Sequence, residues 1–107
     1  AYLPSMDTPQ NQRFVRTYRE RYPNAGLPNQ PAAATYDALF MLRDVIAVTG
    51  SDRQAIRDGL NGLGTSLPPY QGITGILAFE GRGDLARLPV LIGVVRNGTV
   101  VPVERPR

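Results

Sequence analysis

The sequence of 107 residues lacks cysteine and histidine, and all 12 of its basic residues are arginine. Without cysteine and histidine there can be no thiolate chemistry and no imidazole acid–base catalysis, and the usual zinc and copper ligands are missing. We therefore expect a protein that is not an enzyme, that has no catalytic residues and no metal site, and that needs no cofactor.

Long apolar runs are also absent. No stretch reaches the roughly 18 apolar residues that a membrane-spanning helix needs, and no basic-then-apolar signal segment is present. The first residues, Ala1-Tyr2-Leu3-Pro4, read like sequence from the middle of a protein. Any targeting signal is therefore expected upstream of the printed sequence.

A dense basic block is missing too, although the net charge is +3. The arginines are scattered from Arg13 to Arg107, and the aromatic residues follow apolar patterns instead of alternating with arginine as stacking platforms. This distribution predicts no nucleic-acid partner. The 42% hydrophobic content predicts one small globular domain, and the 11 glycines and 10 prolines predict many defined turns.

Three helices are predicted in the first two-thirds of the chain. The first covers residues 8–22, with Thr8 as its cap and Pro9 in its first turn, and a loop follows at 23–31. The second covers residues 32–48 and is apolar almost all round, so it needs more neighbours than a chain of this length readily supplies. The third covers residues 52–61 and begins with a capping box formed by Ser51 and Gln54.

Three strands are predicted after these helices. Residues 73–79 are apolar on both faces, which is typical of a core strand, although a partner-binding edge has the same pattern. A glycine-rich turn at 80–84 leads to a strand at 90–95. Asn97-Gly98 is a strong hairpin signal, and the returning strand at 99–103 is an edge strand because it contains Pro102. The predicted fold class is α/β, with three helices followed by three strands.

Two motifs allow a functional interpretation, but a structural interpretation explains each of them as well. Asp37 and Asp44 are seven residues apart on one helix face, so they could form a paired site; a narrow polar stripe on a mostly buried helix explains them more simply. The tripeptide Arg82-Gly83-Asp84 occurs in integrin-binding sequences, but an ordinary turn accounts for it as well.

Five motifs in a fixed order resemble one family. They are A-T-Y-D-A-L at 34–39, T-G-S-D-R at 49–53, Y-Q-G-I-T-G at 70–75, F-E-G-R-G-D at 79–84 and V-V-R-N-G-T-V-V-P-V at 94–103. The helix containing F-V-x-x-Y-R-x-R-Y at 14–22 fits as well. Together these motifs resemble the C-terminal segment of the type I periplasmic binding proteins of the branched-chain amino acid importer class.

The resemblance implies two α/β lobes joined by a hinge and closing on a small solute. The chain would be an incomplete part of that fold, with residues 1–88 mostly in the N-terminal lobe and residues 89–107 forming the final crossing and an edge hairpin. The implied function is solute binding for an ABC importer, in the periplasm or outside the cell, with the membrane permease as partner. A ligand-sensing domain of a receptor or regulator with the same fold is the alternative.

The resemblance places the ligand-binding residues Pro31 and Ala32 at the cleft. Amino-acid-binding members often have an aromatic residue where this sequence has Pro31, so a ligand would meet small apolar surface here. Such a surface leaves other small acids, amides and aromatic acids as candidates beside branched-chain amino acids. The alternative is that this stretch makes no ligand contact and is a loop entering a buried helix, with small residues that allow close packing. The apolar helix at 32–48 and the two-sided strand at 73–79 also imply that the segment by itself would self-associate.

Overall fold

The computed structural model describes residues 2–86 and 91–103. Three helices come first: α1 (Pro9–Arg21), α2 (Gln30–Thr49) and α3 (Arg53–Asn61). Four short strands follow: β1 (Tyr70–Gln71), β2 (Ile76–Leu77), β3 (Gly93–Arg96) and β4 (Thr99–Pro102). The predicted order of helices followed by strands is confirmed, but the described residues form four strands and not three.

The first two helices begin at side-chain caps. Thr8 Oγ1 accepts a hydrogen bond from the Asn11 N–H at 3.1 Å, as the Thr8-Pro9 pair predicts. Helix α2 starts at Gln30, two residues before the predicted start, because Asn29 Oδ1 accepts from the Ala32 N–H at 3.1 Å. Pro31 fits in this first turn, where its missing N–H has no helical partner to lose.

The capping box predicted at Ser51 is wrong. The cap of α3 is Asp52, whose Oδ2 accepts from the Ala55 N–H at 3.0 Å. A carboxylate at this position also interacts favourably with the positive end of the helix dipole, which a serine hydroxyl does less well. The predicted stop is confirmed, because Gly62 ends the helix and its N–H donates to the Asp58 carbonyl at 3.0 Å.

One face of α2 contributes residues to two separate core clusters. The first core cluster consists of Tyr2, Phe14, Ala33 and Ile73, and the second of Met41, Val45, Leu63 and Leu77. Ala33, Met41 and Val45 lie on the same face of α2 because helix residues spaced by four share a side. The described residues leave Leu39 and Val48, on other faces of α2, 65% and 68% exposed.

The single strand predicted at 73–79 is wrong. The Gly72 N–H donates to the Gly75 carbonyl at 2.9 Å, which closes a tight turn between β1 and β2. The two strands pair antiparallel, with Tyr70 opposite Leu77 and Gln71 opposite Ile76. Gly75 has a φ of 136°, a conformation that glycine adopts without strain. The turn chemistry therefore overrides the apolar alternation of the sequence.

The predicted hairpin at Asn97-Gly98 is confirmed. Both residues have positive φ, 52° and 76°, as a two-residue hairpin turn requires. Strands β3 and β4 pair antiparallel over Gly93–Arg96 and Thr99–Pro102. Ser5 Oγ donates to the Val100 carbonyl at 2.8 Å, so the hairpin lies against the start of the chain. Val90, the predicted first residue of this strand, lies outside the described residues.

Candidate ligand-binding region

The first turn of α2 carries the two residues that the sequence motifs suggested for ligand binding. Pro31 is exposed, whereas Ala32 is half-buried and packs against the first core cluster. The turn is fixed from two sides, because Asn29 caps it and Gln30 Oε1 accepts from the Tyr2 N–H at 3.1 Å. The Pro31 ring is therefore held on a rigid element with its surface accessible.

An open concavity of about 400 Å³ lies beside this turn. Its walls come from three separate parts of the chain: the segment 3–5, the segment 27–30 just before Pro31, and the hairpin turn 98–100. Ser5, Asn29, Gln30 and Thr99 are the polar residues among those that line it. A volume of this size matches a small solute. Pro31 and Ala32 are not among its lining residues.

A larger and more open concavity, of about 610 Å³, separates the segment 4–7 from α1. Charged residues of both signs line it: Asp7, Arg16, Arg19 and Glu20. Asn11 lines it as well: this residue is 1% exposed, and its amide donates to the Pro4 and Met6 carbonyls at 3.1 and 2.9 Å. Asn11 Oδ1 also accepts from the Tyr2 hydroxyl at 2.8 Å, so its hydrogen-bonding groups serve the fold.

Asp37 forms a buried polar cluster with the turn between β1 and β2. Its side chain is 1% exposed and accepts three hydrogen bonds from the turn between β1 and β2. Oδ1 accepts from the Ile73 N–H at 2.8 Å, while Oδ2 accepts from the Thr74 N–H at 2.9 Å and the Thr74 hydroxyl at 2.7 Å. A buried carboxylate with several hydrogen-bond donors is stably accommodated, so Asp37 fastens this turn to the middle of α2.

The pKa values of two tyrosines are raised by burial and by this carboxylate. Burial, and then the charge of Asp37, raises the pKa of Tyr2 to about 12. Burial also raises the pKa of Tyr70, with the Asp37 and Asp44 carboxylates adding to the effect. Both hydroxyls therefore stay protonated at neutral pH and act as hydrogen-bonding groups rather than as bases.

The paired site considered for Asp37 and Asp44 does not form. Asp44 is exposed and pairs with Arg43 at 3.2 Å, whereas Asp37 bonds the turn at 73–74. The polar-stripe interpretation is also wrong for Asp37, since its carboxylate is buried and not solvated. A signal for its role was present in the sequence: a lone aspartate faces the apolar side of a helix, and G-I-T-G at 72–75 offers a turn rich in free N–H groups.

The segment Gly81–Asp84 forms an exposed turn. Glu80, Gly81 and Gly83 have φ of 50°, 78° and 77°, so the predicted turn at 80–84 is confirmed. The Arg82 N–H donates to the Phe79 carbonyl at 2.9 Å, which closes the turn locally. These contacts account for the glycines without a ligand.

Residues 2–86 and 91–103 contain neither a candidate metal cluster nor a candidate membrane-spanning helix. No group of three or more carboxylates in these ranges is arranged to hold a metal ion. None of the helices there combines the length and the apolar character that crossing a bilayer demands.

Comparison with known proteins identifies relatives over almost the whole chain. The model of a periplasmic binding protein family matches residues 1–99. An ABC transporter substrate-binding protein from Desulfitobacterium hafniense, solved in complex with Leu, superposes on 96% of the chain with a TM-score of 0.75 and 29% identity. A leucine-binding protein from Thermotoga maritima superposes on 96% with a TM-score of 0.74 and 30% identity. None of the curated proteins compared with the chain matches it.

The chain spans 30% of the length of the first of these structures and 28% of the second. Its fold is thus part of the two-lobe fold that the sequence motifs implied. The family model covers four of the five motifs in full and the fifth, at 94–103, up to residue 99. The chain belongs to the type I periplasmic binding proteins, in the branched-chain amino acid class.

Proposed function

We propose that the intact protein binds a small solute, an amino acid or a related small acid, between two lobes and delivers it to the membrane permease of an ABC importer. The observation that carries this proposal is the superposition of 96% of the chain, at 29% identity, on an ABC transporter substrate-binding protein solved with Leu. Such a protein works outside the cytoplasm, and its cargo leaves chemically unchanged. Residues 1–88 would then belong mostly to one lobe and residues 89–107 to the final crossing.

The chemistry of the described residues supports capture without reaction. The buried polar groups, Asn11, Asp37 and Thr74, are all hydrogen-bonded within the fold, and no buried side-chain nitrogen or oxygen atom of the described residues lacks a partner. Unpaired buried polar groups are one mark of a catalytic role. The buried polar groups here are instead used to hold the fold together.

Thermal unfolding of the intact protein tests the proposal. A ligand that binds only the native state, at 100 times its dissociation constant, stabilises that state by about 2.7 kcal/mol. We expect at least one solute among the twenty amino acids and a set of small carboxylic acids to raise the melting temperature by roughly 5 °C or more. If none of these solutes shifts the unfolding transition, the protein does not serve their transport.

We further propose that Pro31 and Ala32 border the solute cleft. Pro31 presents an exposed ring on the first turn of α2, and Ala32 holds that turn against the first core cluster. The concavity of about 400 Å³ beside residues 29–30 shows that this end of α2 is accessible. A solute that reaches it would meet the small apolar ring and not an aromatic side chain.

Replacing Pro31 by tyrosine tests this placement. We expect Pro31→Tyr to change the dissociation constant of the solute identified by thermal unfolding at least threefold, because a large ring would enter or stack in the cleft. Isothermal titration calorimetry measures the change. Ala47→Tyr, at an exposed position near the other end of α2, is the matched control and should leave affinity unchanged. Equal affinities for the two variants would show that Pro31 lies away from the cleft.

A further inference from the structure

Two of the five asparagines in the sequence, Asn61 and Asn97, are followed by glycine. Asparagine is a heat-labile residue, and an Asn-Gly pair can react with itself because glycine has no Cβ to shield its backbone nitrogen from the asparagine side chain. The reaction requires that this nitrogen lose its proton and that the peptide unit between the two residues rotate. Hydrogen bonds and packing at that peptide unit therefore decide which pair reacts.

The peptide unit between Asn61 and Gly62 is held at both of its polar atoms. The Gly62 N–H donates to the Asp58 carbonyl at 3.0 Å. The Asn61 carbonyl accepts from the Gly81 N–H at 2.8 Å. Gly62 is also buried, and a Cβ there would collide with Ser66 Oγ. These contacts are internal to the chain, so they do not depend on what else surrounds it.

Within the described residues, the peptide unit between Asn97 and Gly98 has neither of these restraints. It forms the centre of the hairpin turn, outside the paired residues of β3 and β4. No residue that the structure describes donates a hydrogen bond to the Asn97 carbonyl or accepts one from the Gly98 N–H. Asn97 is exposed in this part of the chain, and a Cβ at Gly98 would meet no atom of it within 4 Å. The two Asn-Gly pairs are thus alike in sequence and opposite in environment.

We propose that Asn97 is a site of spontaneous deamidation and that Asn61 is protected from it. The Gly98 nitrogen attacks the side-chain carbon Cγ of Asn97 and forms a bond to it. The bond from Cγ to Nδ2 breaks, and ammonia leaves with the proton that the Gly98 nitrogen has lost, which closes a succinimide ring. Water then adds to one of the two ring carbonyls and opens the ring. Opening on one side gives aspartate and on the other isoaspartate, with no oxidation or reduction.

Each product changes the hairpin. Aspartate adds a negative charge at the turn. Isoaspartate carries the main chain through the former side chain and so adds one carbon atom to it, which a two-residue turn cannot accept while Arg96 stays opposite Thr99. The hydrogen bond of 2.8 Å from Ser5 Oγ to the Val100 carbonyl lies next to this pairing. Modification at Asn97 therefore loosens the contact between the hairpin and the segment that contains Ser5.

Ageing of the intact protein tests the assignment. The protein is incubated in mildly alkaline buffer, in parallel with a sample in urea, and both are digested at acid pH, where ring closure is slow. Mass spectrometry then measures the loss of asparagine at each site. In the folded protein we expect Asn97 to react at least about tenfold faster than Asn61, since the Gly62 N–H becomes available only through local opening at the end of α3. In urea the two rates should agree within about threefold, because the unfolded chain lacks these contacts.

The comparison with urea separates the effect of the fold from that of the sequence. Comparable rates at the two sites in the folded protein, or a faster reaction at Asn61, overturn the proposal. Reaction at both sites in urea but at neither in the folded protein also overturns it, because the intact protein then shields the hairpin turn.

Asn97→Gln is the control for the assignment. A glutamine side chain would have to close a larger ring, so this variant should lose the mass change of the hairpin peptide and keep the rate at Asn61. A mass change that persists in the variant would belong to another residue and would overturn the assignment to Asn97. None of these measurements involves a solute, so the proposed transport function is tested separately by thermal unfolding.

Discussion

Replacing Asp37 by alanine is expected to lower the free energy of unfolding of the intact protein by about 3–5 kcal/mol. The Asp37 carboxylate is 1% exposed and accepts the N–H groups of Ile73 and Thr74 and the hydroxyl of Thr74. Each buried donor left without a partner costs about 1–3 kcal/mol. Part of this cost is recovered because the turn can shift toward water. Urea unfolding followed by circular dichroism gives the change.

Two further variants separate the hydrogen bonds from the loss of a charged group. Asp37→Asn keeps the shape but places an amide N–H₂ where one oxygen accepted, so we expect about half of the alanine effect. Asp44→Ala removes a carboxylate of the same helix that is exposed and pairs only with Arg43; it should cost less than about 1 kcal/mol. Asp37→Ala and Asp44→Ala of equal stability would contradict the role of Asp37 as an anchor of the turn.

Local signals predicted the helices and the hairpin. Thr8-Pro9 and Asn97-Gly98 act through hydrogen bonds and backbone angles within four residues, so their effect is legible in a short window of sequence. The misplaced start of α3 is a local error of one residue: Ser51 and Asp52 are both good caps, and their order alone does not decide between them. The family resemblance was recoverable because five short motifs kept their order over 70 residues.

The contacts that shape the centre of the fold are not local. Asp37 bonds a turn 36 and 37 residues away, and the sequence signals at Asp37 and at 72–75 do not by themselves show that these two sites meet. The apolar alternation at 73–79 predicted a single strand. Instead, Ile73 lies in a turn and packs in the first core cluster, whereas Leu77 lies in β2 and packs in the second. The tight turn at 72–75 and these tertiary contacts together outweighed the pattern, since a short apolar run does not by itself decide its structure. Pro31 and Ala32 rest on the resemblance, and the physical fact added by the structure is that they occupy a capped first turn.

Helix α1 shows how a helix gathers charge: four of its 13 residues are arginines, and all four are exposed. Arg13 and Arg21 are separated by eight residues, yet both border one groove because helix positions spaced by four and eight share a side. The aromatic residues of α1 differ in burial: Phe14 belongs to the first core cluster, whereas Tyr22 is half exposed. Periodicity alone does not say how much of an apolar stripe its neighbours will cover.

Replacing Gly72 by alanine is the second substitution with a large expected effect. A Cβ atom at Gly72 would lie 2.5 Å from Asp37 Oδ2 and 2.6 Å from Asp37 Cγ, distances that real Cβ atoms essentially never show. The carboxylate cannot move away without breaking its three hydrogen bonds to the turn. We expect a loss of about 2–4 kcal/mol in the free energy of unfolding, measured by urea unfolding.

The control isolates the clash from the general cost of adding a side chain to a glycine. Gly81→Ala places its Cβ in open space but at a φ of 78°, so only backbone strain of about 1 kcal/mol is expected. The decisive measurement is the double variant D37A/G72A. If Gly72 is required because the carboxylate occupies the space beside it, alanine at Gly72 costs much less once Asp37 is alanine, and the two losses fall short of additivity by at least about 1 kcal/mol. Additive losses would mean that Gly72 serves the turn through its backbone alone, and the explanation by close packing against Asp37 would be wrong.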